Sequence, residues 1–455
     1  MQVNESELEQ ALNQPDRKER LRALRELKAL ADAGAIRTEP PRPWVNMHCH
    51  SFHSYNAHGF SPSRIAWEAR RLGLAAAGVV DFDVLDGLDE TLAAGDALRS
   101  KLTMGIETRV YIQDFATEVI NSPNEPGISY FMGQGFVQAP PAGSPAARTL
   151  QRMKECSAIR NRAVMENVNR FLGEVTVDYA RDVLPLTASG NATERHLLLA
   201  CDLQAQKVMP DPARRAKFWA AKIQMPQTEL TALMNDPVRF RDTLRKRLMK
   251  YGGPGYAAPD PKNFPTLAEV VEMIRACGAL PVSTWLDGLS AGEQDTDRLL
   301  DYYSSAGQAG INFIPDRNWN VRDPAAKALN LAKLNEAIAA ARARHLVICV
   351  GTEMNSATQP MVDHFDAPEM KPHAALFLEG AYIMWGHSLL LRHGGFGYVS
   401  PQAEAAFGHD AAGKNAFFRE VGAQPVPHGN RLQALRTASR AGDCQAVLRA
   451  LQTGP

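Results

Sequence analysis

The sequence has no excess of either charge. Fifty Lys and Arg residues balance fifty Asp and Glu, for a formal net charge of +0. No global field therefore draws the chain to nucleic acid or to an anionic membrane, and neither is expected as a partner. It has no apolar run long enough to predict a membrane span. Its first residues, Met1-Gln2-Val3-Asn4-Glu5-Ser6-Glu7, lack the basic-then-apolar order of a signal peptide. Six cysteines, at 49, 156, 201, 277, 349 and 444, form no CxxC and no paired spacing. That pattern fits a reduced, cytoplasmic protein better than a disulfide framework. No internal repeat or low-complexity tract stands out. What remains is an ordinary folded composition, 45% hydrophobic and 22% charged over 455 residues, enough for one large domain or two.

The densest chemistry lies early. Val45-Asn46-Met47-His48-Cys49-His50 is a short apolar run ending in His-x-His, followed by Ser51-Phe52-His53-Ser54. On an extended strand, residues i and i+2 point to one face, so both imidazoles can meet one cation at the strand's C-terminal end. Taken alone, the pair reads equally well as two unrelated histidines near a loop.

Strand and helix patterns alternate from residue 44. Strands are predicted at Trp44–Met47, Leu74–Val80, Leu102–Val110, Leu280–Thr284, Ile311–Ile314 and Leu346–Gly351, with helices between them. This predicts six or seven parallel strands with crossover helices, closed or nearly closed into a barrel whose chemistry sits on its C-terminal face. Around it, residues 1–43 read as a helical N-terminal extension, 44–147 as the first part of the barrel, and 148–265 as a largely helical insertion. Residues 266–400 resume the barrel, and 401–455 form a C-terminal helical extension ending in a surface helix. The fold class expected is α/β, a distorted (β/α)7-type barrel with a helical N-terminal extension and a mostly helical insertion.

Over roughly residues 44–365 the chain resembles the PHP (polymerase and histidinol phosphatase) superfamily of metal-dependent enzymes. Six segments carry the resemblance: His48-Cys49-His50 running to Ser61-Pro62; Val80-Asp81-Phe82-Asp83; Gly105-Ile106-Glu107; Arg195-His196 after the insertion; Ser283-Thr284-Trp285; and Gly351-Thr352-Glu353-Met354-Asn355. Their order and strand-end context match, although Phe82, Thr284 and Asn355, and Tyr130 as a fourth, stand where the family usually has histidines. The chain thus resembles a divergent branch lacking several metal-ligand histidines. The resemblance implies that His48, His50, Glu107 and, by exchange for Asp, Glu353 hold a divalent metal, Zn, Mn or Fe, as one ion rather than three.

Other polar residues are weighed by position. Asp81 ends a buried strand and is expected to orient a histidine or act as a base, and His196, at a helix start, to be catalytic in handling the proton of the water, with metal ligand, anion binder or core residue as its other readings. Arg109 and Arg317 are candidates to steady substrate charge, with Asp287 and Asn355 as further substrate contacts. The function expected is a metal-dependent hydrolase of a small, anionic (phosphorylated or carboxylated) metabolite, using a metal-activated water. A lyase or isomerase on the same barrel, or a non-catalytic binding protein on a degraded fold, are the alternatives. The partner expected is a small-molecule substrate, and a homo-oligomer is compatible with the sequence.

Overall fold

A computed structural model describes residues 4–452. Seven strands form one sheet in sequential order: β1 (Arg42–Cys49), β2 (Leu74–Phe82), β3 (Leu102–Tyr111), β4 (Ile128–Phe136), β5 (Leu280–Trp285), β6 (Gly310–Phe313) and β7 (Val347–Val350). The fold is a nearly closed, distorted barrel with helical extensions. Six strands run parallel, as expected. β4 departs from the expectation, because it pairs antiparallel with both β3 and β5. Its sequence, Ile-Ser-Tyr-Phe-Met-Gly-Gln-Gly-Phe, follows β3 without a crossover helix, and a strand joined by a loop alone can only return antiparallel.

Strand continuity and its limits follow from local chemistry. The helix Pro62–Arg71 starts where Ser61 accepts a hydrogen bond from the Arg64 N–H, with Pro in the first turn. The next helix, Leu88–Leu98, spans the expected residues. Between them β2 is buried on both faces over most of its length, as parallel strands are.

The barrel closes at the seam between β7 and β1. Here Thr352 and Glu353 donate backbone hydrogen bonds to the His48 carbonyl, at 3.2 and 2.8 Å, and His50 N–H donates to the Glu353 carbonyl at 2.8 Å. Gly351 permits this approach, since a Cβ there would lie 2.4 Å from His48 Cβ and 2.6 Å from its backbone nitrogen. Glu353 and Met354 turn the chain through the left-handed region, at φ 63° and 55°, and that turn brings the Glu353 carbonyl to His50.

The opposite end of the barrel is covered by the helix Ala374–Gly394, which contacts β1, β2, β3, β4 and β7. It is the one helix among the described residues long and apolar enough to cross a membrane, and most of it is buried against the barrel. Gly380 lets it touch down, for a Cβ there would sit 1.7 Å from the Ile348 carbonyl oxygen. The expected C-terminal surface helix is instead two helices, Gly429–Ala441 and Cys444–Gln452, whose Leu435, Val447 and Leu451 join the main core. Residues between β4 and β5 form helices with their own apolar cluster around Trp219, Phe240 and Leu244. They roof the C-terminal end of the barrel.

Candidate metal centre

The site grows from β1. Residues 45–49 are buried in succession, so alternation places His48 toward the barrel interior, and His50 follows just past the strand. His48 lies 1% exposed and His50 0%. β3 contributes Glu107, which pairs in register with Phe82 of β2. His48 Nε2 and His50 Nε2 stand 3.6 and 3.5 Å from Glu107 Oε2. All three donor atoms lie within 4.8 Å of one another. Each is buried and makes no hydrogen bond. Buried polar atoms are normally paired, and three unpaired ones converging on a point form a cradle for a cation.

The imidazoles are held with Nε2 free. His48 Nδ1 bonds Asn312 Oδ1 at 2.9 Å, and His50 Nδ1 is paired with Ser54 Oγ at 3.4 Å. A fixed Nδ1–H presents the Nε2 lone pair to a metal. Burial works against charge on both rings. His50 is held at about 3 by burial and by His48, the neutral form a ligand needs. On His48 burial is overridden by the Glu107 carboxylate, which raises it, while burial pushes Glu107 itself up. Phe82 stacks on His50, with ring centroids 4.3 Å apart and planes 18° apart. It fills the space beside His50 with a group that cannot ligate.

Glu353 lies beside this trio but is engaged elsewhere. Its carboxylate accepts from Arg317 Nη2 at 3.2 and 3.1 Å and from Gln359 Nε2 at 2.9 Å. Burial would raise it, but Arg317 together with His48, His50 and Gln359 outweighs burial and lowers it to about 2. Arg317, expected to clamp substrate, is therefore partnered by Glu353. Asn355 accepts from Arg195 Nη2 at 3.3 Å and lines the cavity described below. Arg109 lines it as well, in an ion pair with Glu125 at 2.9 Å. The other histidine-position replacements are used up locally, for Thr284 Oγ1 donates to the Tyr130 carbonyl and accepts from Asn121 Nδ2, both at 2.9 Å.

Three residues named from the sequence are engaged in local contacts. Asp81 does not line the cavity. Its oxygens accept from Ser51 N–H at 2.8 Å and from the Ser51 and Ser54 hydroxyls at 2.7 Å, so it anchors the loop after β1 and is not free to act as a base. His196 caps a helix: its Nδ1 accepts from Thr193 N–H at 3.1 Å, and its ring packs on Tyr55. Burial holds it at about 4. Asp287 is a turn residue, accepting from Leu289 N–H at 3.0 Å, and it is not among the residues lining the cavity.

Two of the trio, His48 and Glu107, line a cavity of about 510 Å³ between the strand ends and the helical roof. Sequence reasoning missed much of its wall. Asn312 carried a readable signal, as a lone polar residue in the apolar run Gly310–Ile314. Arg160, Glu194 and Lys250 carried none, because they reach the cavity only through the packing of the insertion, and Glu125 reaches it from the loop between β3 and β4.

No family model matches the chain, and no curated protein matches it. Among solved structures, it is similar to an amidohydrolase from Chromobacterium violaceum, with bound sulfate and no metal. That similarity has 16% identity and a TM-score of 0.48, over 74% of this chain and 96% of that one. It is also similar to a structure from Bifidobacterium adolescentis bearing the name of a metal-dependent phosphoesterase, at 16% identity and a TM-score of 0.45, over 71% and 91%.

Proposed function

We propose that the chain is a PHP-type, metal-dependent hydrolase of a small anionic metabolite. The observation that carries the reading is the convergence of three buried, unpartnered donor atoms, His48 Nε2, His50 Nε2 and Glu107 Oε2, with His48 and Glu107 lining the cavity. Two imidazoles and one carboxylate suit Zn, Fe or Mn, and three protein ligands leave a position for water or substrate. His48, His50 and Glu107 would hold a divalent ion, which would supply Lewis acidity and could bring the pKa of a water toward about 7.

The remaining roles belong to the chain. Asn312 and Ser54 fix the two imidazoles. Asp81 holds the Ser51–Ser54 loop that ends at His50. Phe82 keeps one side of the trio dry and leaves no donor for a second ion beside His50, which supports one ion rather than three. Glu353 stays ionised against Arg317 at the edge of the trio and adds negative charge without needing to ligate. Asp83 lines the cavity and accepts from Thr108 Oγ1 at 2.6 Å. Burial pushes its carboxyl up, so it is suited to hold and return a proton.

Elemental analysis tests the reading, followed by assays on phosphate esters, lactones and amides. About one equivalent of Zn, Mn or Fe should copurify, and His50→Ala and Glu107→Gln should each remove it together with any hydrolysis. A folded protein that binds none of these ions, even when they are added, overturns it.

A further inference from the structure

The cations on the roof side of the cavity are unevenly matched. Arg109 has Glu125, and Arg195 has Asp242 at 3.7 Å. Arg245 and Lys250 share one carboxylate, Glu194, at 2.7 and 2.8 Å. Arg160 has no carboxylate within ion-pair distance among the described residues. One of its guanidinium nitrogens donates to the Asn263 carbonyl at 2.5 Å, and its buried Nε has no partner.

Arg160 is also held against another cation. Its guanidinium sits over the Phe264 ring at 4.4 Å, and Arg109 lies over the same ring at 5.3 Å. Burial and Arg109 hold Arg160 at about 10, with the Asp83 carboxyl, outside ion-pair distance, acting against them. Two guanidiniums on one phenyl ring, one of them without an acid, form an anion-binding surface whose like-charge repulsion a bound anion would relieve. Arg109 stands two residues beyond Glu107 on β3, roughly 7 Å along the strand.

We propose that Arg160 and Arg109, framing Phe264, bind an anionic group of the substrate distinct from the group that reacts at the trio. The substrate would then carry a phosphate or carboxylate several bonds from the scissile bond, rather than being a small ester with a single charge at the reacting centre. This rests on the trio being the reacting site, but the anion site itself does not depend on a bound metal.

Isothermal titration with inorganic phosphate and with succinate tests it, on the wild type, Arg160→Gln, the exposed control Arg148→Gln and the double variant His48→Ala/His50→Ala. The wild type and the double variant should bind one of the two anions with equal affinity. Arg160→Gln should weaken binding about tenfold or more, the scale of a lost charge-assisted hydrogen bond. Arg148→Gln should not change it. Tighter phosphate than succinate assigns a phosphorylated substrate, and the reverse a carboxylated one. Three results overturn the proposal: no saturable binding by the wild type, unchanged binding by folded Arg160→Gln, or binding that vanishes in the double variant because the anion sits on the metal. If Arg160→Gln does not fold, the double variant decides alone. Metal content of the wild type, measured in parallel, reports separately on the trio.

Discussion

Replacing Asp81 by Asn separates an anchoring role from a catalytic one. Asp81 is completely buried and accepts three hydrogen bonds, from Ser51 N–H, Ser51 Oγ and Ser54 Oγ. In Asp81→Asn the Oδ1 contacts survive without charge. The Ser51 hydroxyl, which already accepts from His53 N–H at 3.2 Å, meets a new N–H donor where it had an acceptor. Hydrogen bonds to charged groups contribute about 1.5–3 kcal/mol, so the net destabilisation expected is roughly 2–3 kcal/mol. At about 2.1 cal/mol/K of unfolding entropy per residue, a chain of 455 residues shifts by only about 1 °C per kcal/mol. Denaturant midpoints will resolve the change better than melting curves. The loop carries the effect to His50, whose Nδ1 lies 3.4 Å from Ser54 Oγ. Groups that orient a ligand typically change metal affinity by about 10–100-fold when altered. Chelator competition should therefore show metal bound that much more weakly, with hydrolysis at saturating metal within about tenfold of wild type. Unchanged metal affinity together with a fall of about 10³-fold or more in kcat would refute the anchoring role and restore Asp81 as a base.

Three further outcomes follow from the same contacts. Glu353 falls from its ordinary 4.5 to about 2, which is worth roughly 3 kcal/mol; because its folded value is depressed, that stability is present above about pH 4.5 and is lost as pH falls toward 2. Arg317→Ala removes the main cause, so acid unfolding followed by circular dichroism should move to higher pH, and an unchanged acid midpoint would contradict the pairing. His196→Ala should cost about 1 kcal/mol, the scale of a lost cap, and leave metal affinity unchanged; weaker metal binding would make His196 part of the site. Gly351→Ala pushes a Cβ into His48 and should reduce copurified metal sharply, whereas full metal content would show that the seam yields without disturbing the ligands.

Local sequence determined the parts of this protein whose cause is local. His48 and His50 share a face because strand side chains repeat every two residues, and that holds in any fold containing the strand. The helix Leu88–Leu98 and the cap at Ser61 follow from near neighbours alone, and six of the seven strands are legible as apolar runs bounded by glycine, proline and polar residues. Asn312 was equally open to reading, as a polar residue where an apolar one packs. Tertiary structure alone decided which charges meet. Glu353 sits on a strand end beside the histidines, but its carboxylate is taken by Arg317 from the neighbouring strand end, a contact 36 residues away in sequence. Asp81 and His196 have the residue types of catalysis and the surroundings of structure, since Ser51, Ser54 and Thr193 saturate them. Arg160 lies in a charged helix that reads as solvated surface, and it becomes part of a cavity wall only because the insertion folds back over the barrel. A side chain's type fixes what chemistry it can perform, but its partners fix whether it is free to perform it, and those partners come from distant parts of the chain.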